Sequence, residues 1–486
     1  MNISLAILGL FFTIAIALGL LAKRGHTMTL EQWSVGGRGF GSLFVFLLMA
    51  GEIYTTFTFL GGSGWAYGKG APALYILCYL TLAYSLSYFL LPAIWRYARG
   101  RHLVSQADFF IAKYDSAALG LLVAFVGVAA LVPYLVLQLK GLGIIVSEAS
   151  YGAISPGTAM WCGTAALMFY VVVSGVRGSA WTATLKDAMI LVIVVVMGIW
   201  LPFHYHGGYG AMFTAIETAK PGFLTLPATG MSPSWFISTV LLTSVGVYTW
   251  PQFFAGVYTA RSENVFRKNA VVLPLYQLVV LFVFFTGFAA TLAVPGLTGA
   301  DADLSLFRLA KASFAPWAVG MIGAAGLLTA LVPGSMLLIT AATMLAKNVF
   351  RAMAPRSSDR TVGIVARAMV PVLALCALYL ALHGGQAIVA LLLMGYNVVT
   401  QLFPALVLSF GDRPRISAAA ALAGIVAGEC TVAAVSLSGT SIASLAPSLP
   451  QVVKDLNIGI VALAVNCAVI ALVMIAVPRR TPAHAA

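Results

Sequence analysis

The sequence predicts an all-α polytopic membrane protein with about thirteen transmembrane helices. Of its 486 residues, 61% are hydrophobic and only 8% are charged, which is too few charges to cover the surface of a water-soluble protein of this size. Apolar runs of about 20 residues, the length that a helix needs to cross a bilayer, recur from the first residues to about position 477. Because lipid offers the backbone no hydrogen bonds, helices are expected to carry the crossings.

The apolar runs give thirteen predicted spans and leave no stretch long enough for a soluble domain. They lie at about residues 2–22, 42–66, 72–95, 118–146, 157–175, 180–203, 234–258, 270–296, 316–346, 364–383, 386–410, 416–438 and 457–477.

The positively charged residues lie mainly in the loops between predicted spans, which is typical of a membrane protein rather than of a nucleic-acid-binding surface. The net charge is +13, and with the N-terminus placed outside, most Lys and Arg fall in cytoplasmic loops, as the positive-inside rule requires. The exceptions are the outer-loop residues Lys69, Lys220, Arg308, Lys311 and Lys454, with Lys140 and Lys186 inside spans. The distribution predicts a lipid partner, no nucleic acid, and a cytoplasmic C-terminus.

Two predicted spans contain helix-weakening sequence at mid-depth. Residues 51–56 (GEIYTT) precede the glycine-rich run 61–64, and Trp250-Pro251-Gln252 lies near the end of the other span. Each opens a set of five spans, and interrupted helices at matching places indicate an inverted-repeat transporter with its site at the midplane. Simple kinks are the alternative, since glycine and proline are common in membrane helices.

This reading divides the chain into four parts. An extra helix and loop occupy residues 1–41, the two repeats residues 42–203 and 234–410, and two accessory helices with a short tail residues 411–486.

Five ionisable residues lie inside predicted spans: Glu52, Lys140, Lys186, Asp187 and Glu429. Burying a charge costs about 3 kcal/mol or more on insertion scales, so such residues pair, face water or serve transport. Glu52 is expected to carry a proton or to pair with a lysine. Lys186 and Asp187 should project about 100° apart on a helix, which predicts that only one, Lys186, faces the pathway.

Other classes of function find little support. The six histidines lie in loops, at span edges or in the tail, and the five cysteines are scattered without ligand spacing. Neither an enzyme nor a metal site is therefore expected from these residues. No repeated pore motif or ring of like charges indicates a channel. The sequence predicts a transporter without cofactors that functions as a monomer.

Several segments resemble the solute:sodium symporter family in their order along the chain. They are residues 31–38 (EQWSVGGR), 59–67 (FLGGSGWAY), 133–141 (PYLVLQLKG), 175–182 (GVRGSAWT), 250–262 (from WPQ to ARS) and 401–404 (QLFP). The resemblance implies the five-plus-five inverted repeat of the LeuT-like fold, symport coupled to Na+, and a bacterial inner membrane with a periplasmic N-terminus.

Within that family, residues 51–58 (GEIYTTFT) and 181–187 (WTATLKD) are similar to the bacterial monocarboxylate permease branch. The resemblance implies lactate, pyruvate or a similar small organic anion as substrate, with another solute such as an amino acid as the alternative. The candidate solute-binding residues are Thr55, Thr58, Tyr134, Gln138, Lys186, Tyr248, Trp250, Gln252, Phe253, Asn397 and Gln401.

The resemblance also implies a set of coupling-ion residues, but with departures. The matching carbonyls are those of Gly51, Tyr54 and Leu328, whereas Leu331 and Val332 stand where hydroxyls are expected, with Thr329 and Ser335 nearby. Ala183 replaces an aspartate that is frequent in sodium-dependent members, and Lys186 follows on the same face. A buried ammonium could occupy the place of the cation, so H+ coupling through Glu52 and Lys186 is an alternative to Na+.

Overall fold

A computed structural model describes residues 3–24, 28–52 and 54–476, and this part of the chain is helical with no β-strand. The helices are α1 (Ile3–Lys23), α2 (Leu30–Val35), α3 (Ser42–Gly51), α4 (Ser63–Lys69), α5 (Tyr75–Arg99), α6 (Gln106–Tyr114), α7 (Ala117–Ala149), α8 (Pro156–His206), α9 (Tyr209–Ala219), α10 (Pro233–Gly246), α11 (Pro251–Tyr258), α12 (Asn264–Gln277), α13 (Val280–Ala293), α14 (Ser305–Ser313), α15 (Pro316–Met344), α16 (Arg351–Met353), α17 (Asp359–His383), α18 (Ile388–Val399), α19 (Phe403–Val407), α20 (Ala418–Ser438), α21 (Ile442–Leu445), α22 (Gln451–Lys454) and α23 (Ile458–Ala476).

All thirteen predicted apolar segments fall on helix, although the boundaries differ. Within the described residues, ten helices are long and apolar enough to cross a membrane, and the one called α8 is 51 residues long. A helix of that length would span about 76 Å, more than twice the hydrocarbon core. It is broken at Gly175, where φ is 57°, so the predicted spans 157–175 and 180–203 meet there without a loop. The count of thirteen and the repeat stay predictions.

The first predicted interruption is present in the structure. Helix α3 ends at Gly51, and Tyr54 and Thr55 form a bend rather than a helical turn. The chain returns to helix through a wide π-helical turn, Phe57–Gly62, before α4 begins. Gly61 and Gly62 allow neighbouring side chains to approach closely, because a Cβ on Gly61 would lie 2.9 Å from Val389.

The second interruption falls at the Trp-Pro pair. Helix α10 ends at Gly246, a 3-10 turn covers Val247–Thr249, and Trp250 is extended with φ −70° and ψ 129°. A residue before proline is disfavoured in helix, and proline is favoured as the first residue of the next helix. Pro251 therefore both ends one helix and starts α11.

Helix α15 forms the centre of the bundle. Every residue from Ile322 to Met344 is buried, and α15 packs against α1, α7 and α8. The accessory helices α20 and α23 pack against each other and expose apolar side chains such as Leu472. The arrangement places the two broken helices inside the bundle, where their free backbone groups are shielded from lipid.

Candidate functional site

The two breaks meet, and a small cavity lies between them. Gln252 Nε2, just after the second break, donates to Glu52 Oε2, just after α3, at 3.4 Å. The cavity has a volume of about 30 Å³, room for about two water molecules. Its lining comes from α5, α7, α18 and both broken helices and consists of Glu52, Phe57, Tyr79, Leu80, Tyr84, Tyr134, Val247, Trp250, Gln252, Phe253, Leu392 and Tyr396.

Aromatic rings form most of the cavity wall. Trp250 packs edge-on against Tyr134 and Tyr396, with ring centroids 5.2 and 5.3 Å apart, and Tyr396 contacts Tyr79 at 5.7 Å. Edge-to-face packing holds such rings in fixed positions. Glu52 is the charged member of this lining. An apolar wall with a few polar groups is typical of a site for a small molecule.

Four of the predicted solute-binding residues line the cavity: Tyr134, Trp250, Gln252 and Phe253. Three others lie beside the first break but outside the lining. The backbone N–H of Thr55 donates to Thr58 Oγ1 at 3.1 Å, and Gln138 Oε1 accepts from Thr56 Oγ1 at 2.7 Å. Thr55, Thr58 and Gln138 therefore hold the irregular backbone in shape.

Three further predicted solute-binding residues, Tyr248, Asn397 and Gln401, point away from the cavity. Tyr248 donates to the carbonyl of Ala83. Gln401 donates to the carbonyls of Asn397 and Gly459, at 3.0 and 3.2 Å, so it faces the accessory helix α23. Asn397 borders the same helix, because a Cβ on Gly459 would lie 2.6 Å from Asn397 Oδ1. Gln401 and Asn397 thus connect the core to the accessory helix α23, whereas Tyr248 bonds to α5.

The sequence analysis missed the aromatic side of the cavity. Tyr79 and Tyr84 come from α5 and Tyr396 from α18. Near Tyr79 and Tyr84, helix α5 contains neither a charged residue nor a helix break, so nothing in the sequence pointed to these tyrosines. On α18 the sequence drew attention to Asn397, but the helix turns the preceding residue, Tyr396, toward the cavity.

The expectation that Lys186 and Asp187 point apart is wrong. Lys186 Nζ lies 2.9 Å from Asp187 Oδ1, and the side chains are 0% and 6% exposed. The long, flexible lysine chain bridges the angle between the two positions because two unpaired buried charges would be far more costly. Lys186 pairs with its neighbour, and Glu52 bonds to Gln252 instead.

The same ammonium contacts the carbonyls that the resemblance assigned to the coupling ion. Lys186 Nζ donates to Tyr54 O at 3.0 Å and to Gly51 O at 3.4 Å. A Cβ on Gly51 would lie 3.7 Å from both Lys186 Nζ and Val332 Cγ1. An apolar side chain of α15 thus flanks the ammonium where a hydroxyl was expected.

The hydroxyls of the other predicted coupling-ion residues, Thr329 and Ser335, already donate to backbone carbonyls of their own helix, α15. Thr329 donates to Gly326 O and Ser335 to Val332 O, both at 2.6 Å. Ser335 Oγ also lies 2.5 Å from Ser179 Oγ. Leu328 is fully buried in the core.

Of the remaining intramembrane charges, Lys140 and Glu429 lie away from the cavity. Lys140 Nζ donates to Gln386 O at 2.5 Å. Glu429 sits on α20, and among the described residues its Oε1 atom is buried without a hydrogen-bond partner.

Asp303 packs against α4, the helix that follows the first break. It lies in the turn Gly299–Leu304, and its Oδ2 accepts from the N–H of Ile388, the first residue of α18, at 3.0 Å. A Cβ on Gly64 would lie 2.9 Å from Asp303 Oδ1. Burial raises the pKa of Asp303 to about 6, against the lowering effects of the Ile388 hydrogen bond and the Lys140 charge.

Comparison with known proteins identifies the family of this scaffold. Residues 33–428 match the model described as "Sodium:solute symporter family". The chain is 59% identical over 469 residues to the uncharacterized symporter YhjB of Bacillus subtilis (strain 168), covering 96% of each chain. It is 28% identical over 413 residues to a monocarboxylate transport permease protein of Rhizobium johnstonii, covering 83% of each.

The fold is that of a solved transporter. A structure of a Na+-coupled sialic acid symporter, in a substrate-bound outward-open state, superposes with a TM-score of 0.79 at 17% identity over 99% of both chains. This confirms the predicted all-α membrane fold with a LeuT-like plan. The family match, which covers most of the chain, implies Na+ as the coupling ion. The chain belongs to the sodium:solute symporter family.

Proposed function

We propose that this chain imports a small monocarboxylate, such as lactate or pyruvate, by coupling its entry to a cation gradient. The observation that carries the proposal is the small, mostly aromatic cavity at the meeting point of the two breaks. The cavity of about 30 Å³ must widen to admit even a three-carbon acid, so the conformation that binds the solute differs from this one. The similarity to the monocarboxylate permease supports the same class.

Gln252 is the proposed donor to the solute. Its side chain is 3% exposed, and its amide is free to exchange Glu52 for a solute carboxylate across the cavity. The nearby Tyr134 and Trp250 rings would cover the apolar part of the solute. The same lining offers no lysine or arginine, so the anion would be held by hydrogen bonds and not by an ion pair.

Glu52 favours two alternatives to simple Na+-coupled anion import. A solute carboxylate beside an ionised Glu52 would be repelled, so anion entry together with a proton on Glu52 is one alternative. The other is a solute with an ammonium group, such as an amino acid, which would be attracted by Glu52 and by the surrounding aromatic faces.

The test is uptake by purified protein in liposomes, with a panel of labelled lactate, pyruvate and amino acids. We expect accumulation of lactate or pyruvate above the outside concentration when a cation gradient is imposed. Accumulation of amino acids with no uptake of either monocarboxylate would overturn the proposed substrate class. Sensitivity to a protonophore distinguishes H+ from Na+ coupling.

A matched pair of variants tests whether the Glu52 carboxyl takes part in transport. Glu52→Gln removes the charge from the cavity, whereas Glu429→Gln removes a buried carboxylate outside it. We expect Glu52→Gln to change the rate or the pH dependence of uptake and Glu429→Gln to leave both at wild-type values. Wild-type uptake in Glu52→Gln at every pH would remove Glu52 from the mechanism.

A further inference from the structure

Lys186 contacts the two carbonyls that the resemblance assigned to the coupling ion. Its ammonium contacts the carbonyls of Gly51 and Tyr54 at the end of α3 and pairs with Asp187. The side chain is fully buried, and its covalent attachment to α8 means that it cannot leave with the solute. The ammonium therefore supplies one fixed positive charge at the first break.

The surrounding residues do not suit a sodium ion in addition. Sodium is a hard cation that prefers a shell of oxygen ligands, but α15 presents Val332 at this point. Ala183 and Leu47 pack with Val332 in an apolar cluster. The hydroxyls of Thr329 and Ser335 bond to carbonyls of their own helix. Two carbonyls and the Asp187 carboxylate remain, and all three already contact the Lys186 ammonium.

Charge leads to the same conclusion. Two carboxylates act on this position. Lys186 neutralises Asp187 at 2.9 Å, whereas Glu52, whose charge also interacts with Lys186, lines the cavity and accepts from Gln252. A sodium ion entering beside the ammonium would meet a like charge in a medium of low polarity, where repulsion is strong. The ammonium thus excludes a second cation both by occupying the ligands and by its charge.

We propose that Lys186 is a built-in substitute for the coupling sodium, and that transport by this chain does not require Na+. This proposal deepens the proposed function, and only its uptake experiment rests on that function. It assigns to Lys186 a positioning role: the ammonium holds the broken backbone of the first repeat in the shape that bound sodium would otherwise impose.

The first experiment measures sodium binding without any solute. Purified wild-type protein is melted in NaCl, KCl and choline chloride at equal ionic strength. We expect identical melting temperatures for the wild type in the three salts. Lys186→Ala frees both carbonyls and leaves the Asp187 carboxylate without its cation. Its lower melting temperature should therefore rise selectively in NaCl. A selective upward shift of the wild type in NaCl would overturn the proposal whether or not the solute has been identified.

The second experiment measures uptake in the same salts. With the imported solute, wild-type liposomes should show equal initial rates in sodium and in choline. Lys186→Met, which fills the space without a charge, should lose most uptake in every salt. Strict sodium dependence of the wild type would contradict the proposal. Uptake of none of the panel solutes would instead count against the proposed function, and the melting experiment would still decide the role of Lys186.

Discussion

Removing the Lys186 charge should strongly destabilise the protein, and the size of the effect follows from burial. The lysine side chain is 0% exposed and that of Asp187 only 6%, so Lys186→Met leaves a carboxylate uncompensated in the interior and two carbonyls without their donor. Breaking a buried pair by removing one partner costs about 3–5 kcal/mol. We expect a decrease of that size in the free energy of unfolding.

A double-mutant cycle separates the pair from the rest of the packing. Asp187→Asn should cost less than Lys186→Met, because the ammonium keeps Tyr54 O and Gly51 O as acceptors. The double variant Lys186→Met/Asp187→Asn contains neither charge and should be more stable than Lys186→Met alone. The assay is reversible unfolding in mixed detergent micelles, followed by tryptophan fluorescence.

The control is a second lysine inside a span. Lys140 donates to Gln386 O and is partly exposed, so Lys140→Met should cost at most about 1 kcal/mol. If Lys186→Met proves as stable as Lys140→Met, or if the two losses in the cycle simply add, the buried pair does not exist as described.

Two further predictions concern the break in α8 and the turn Gly299–Leu304. Gly175→Ala should destabilise the protein by about 1–3 kcal/mol, because φ 57° with ψ −160° is a region that essentially only glycine adopts. The cost should be greater still because the new Cβ would lie 2.7 Å from Trp33 O. Gly9→Ala, whose Cβ would have nothing within 4 Å, should not destabilise the protein, and thermal unfolding compares the two variants. The pKa of Asp303, raised by burial to about 6, means that the packed turn is favoured while this carboxyl is protonated and loses stability as pH rises through 6. Labelling of an Ala300→Cys thiol speeds up with pH through thiol ionisation alone, so the rate is compared with that of Ala300→Cys/Asp303→Asn. Between pH 5 and 7 the rate should rise more steeply with Asp303 present, and the same pH dependence in Asp303→Asn would contradict this assignment.

The fold was largely predictable from the sequence because lipid imposes simple constraints. Apolar runs placed the helices, and Trp250-Pro251 placed one break, because proline disfavours helix at the residue before it. Proline alone does not decide this, since Pro133 and Pro333 lie inside continuous helices. The boundary between predicted spans 157–175 and 180–203 was harder to read. There a single glycine, Gly175, turns the chain without a polar loop.

The site was predictable only in part, because side-chain direction depends on packing. Glu52 and Gln252 stood out in the sequence, and the structure brings them together. Rotation of α18 directs Tyr396 rather than Asn397 to the cavity. Helical geometry alone also separated Lys186 from Asp187, since it ignores the reach of a lysine chain and the penalty for two unpaired buried charges.

The central claim is that the solute binds where the two breaks meet, and two buried glutamines test it most directly. Gln252 lines the cavity, whereas Gln401 bonds to α23, although both are buried amides inside the bundle. Equilibrium binding of labelled pyruvate to purified protein should be lost in Gln252→Ala and retained in Gln401→Ala. Retained binding in Gln252→Ala together with lost binding in Gln401→Ala would place the site elsewhere and contradict the account.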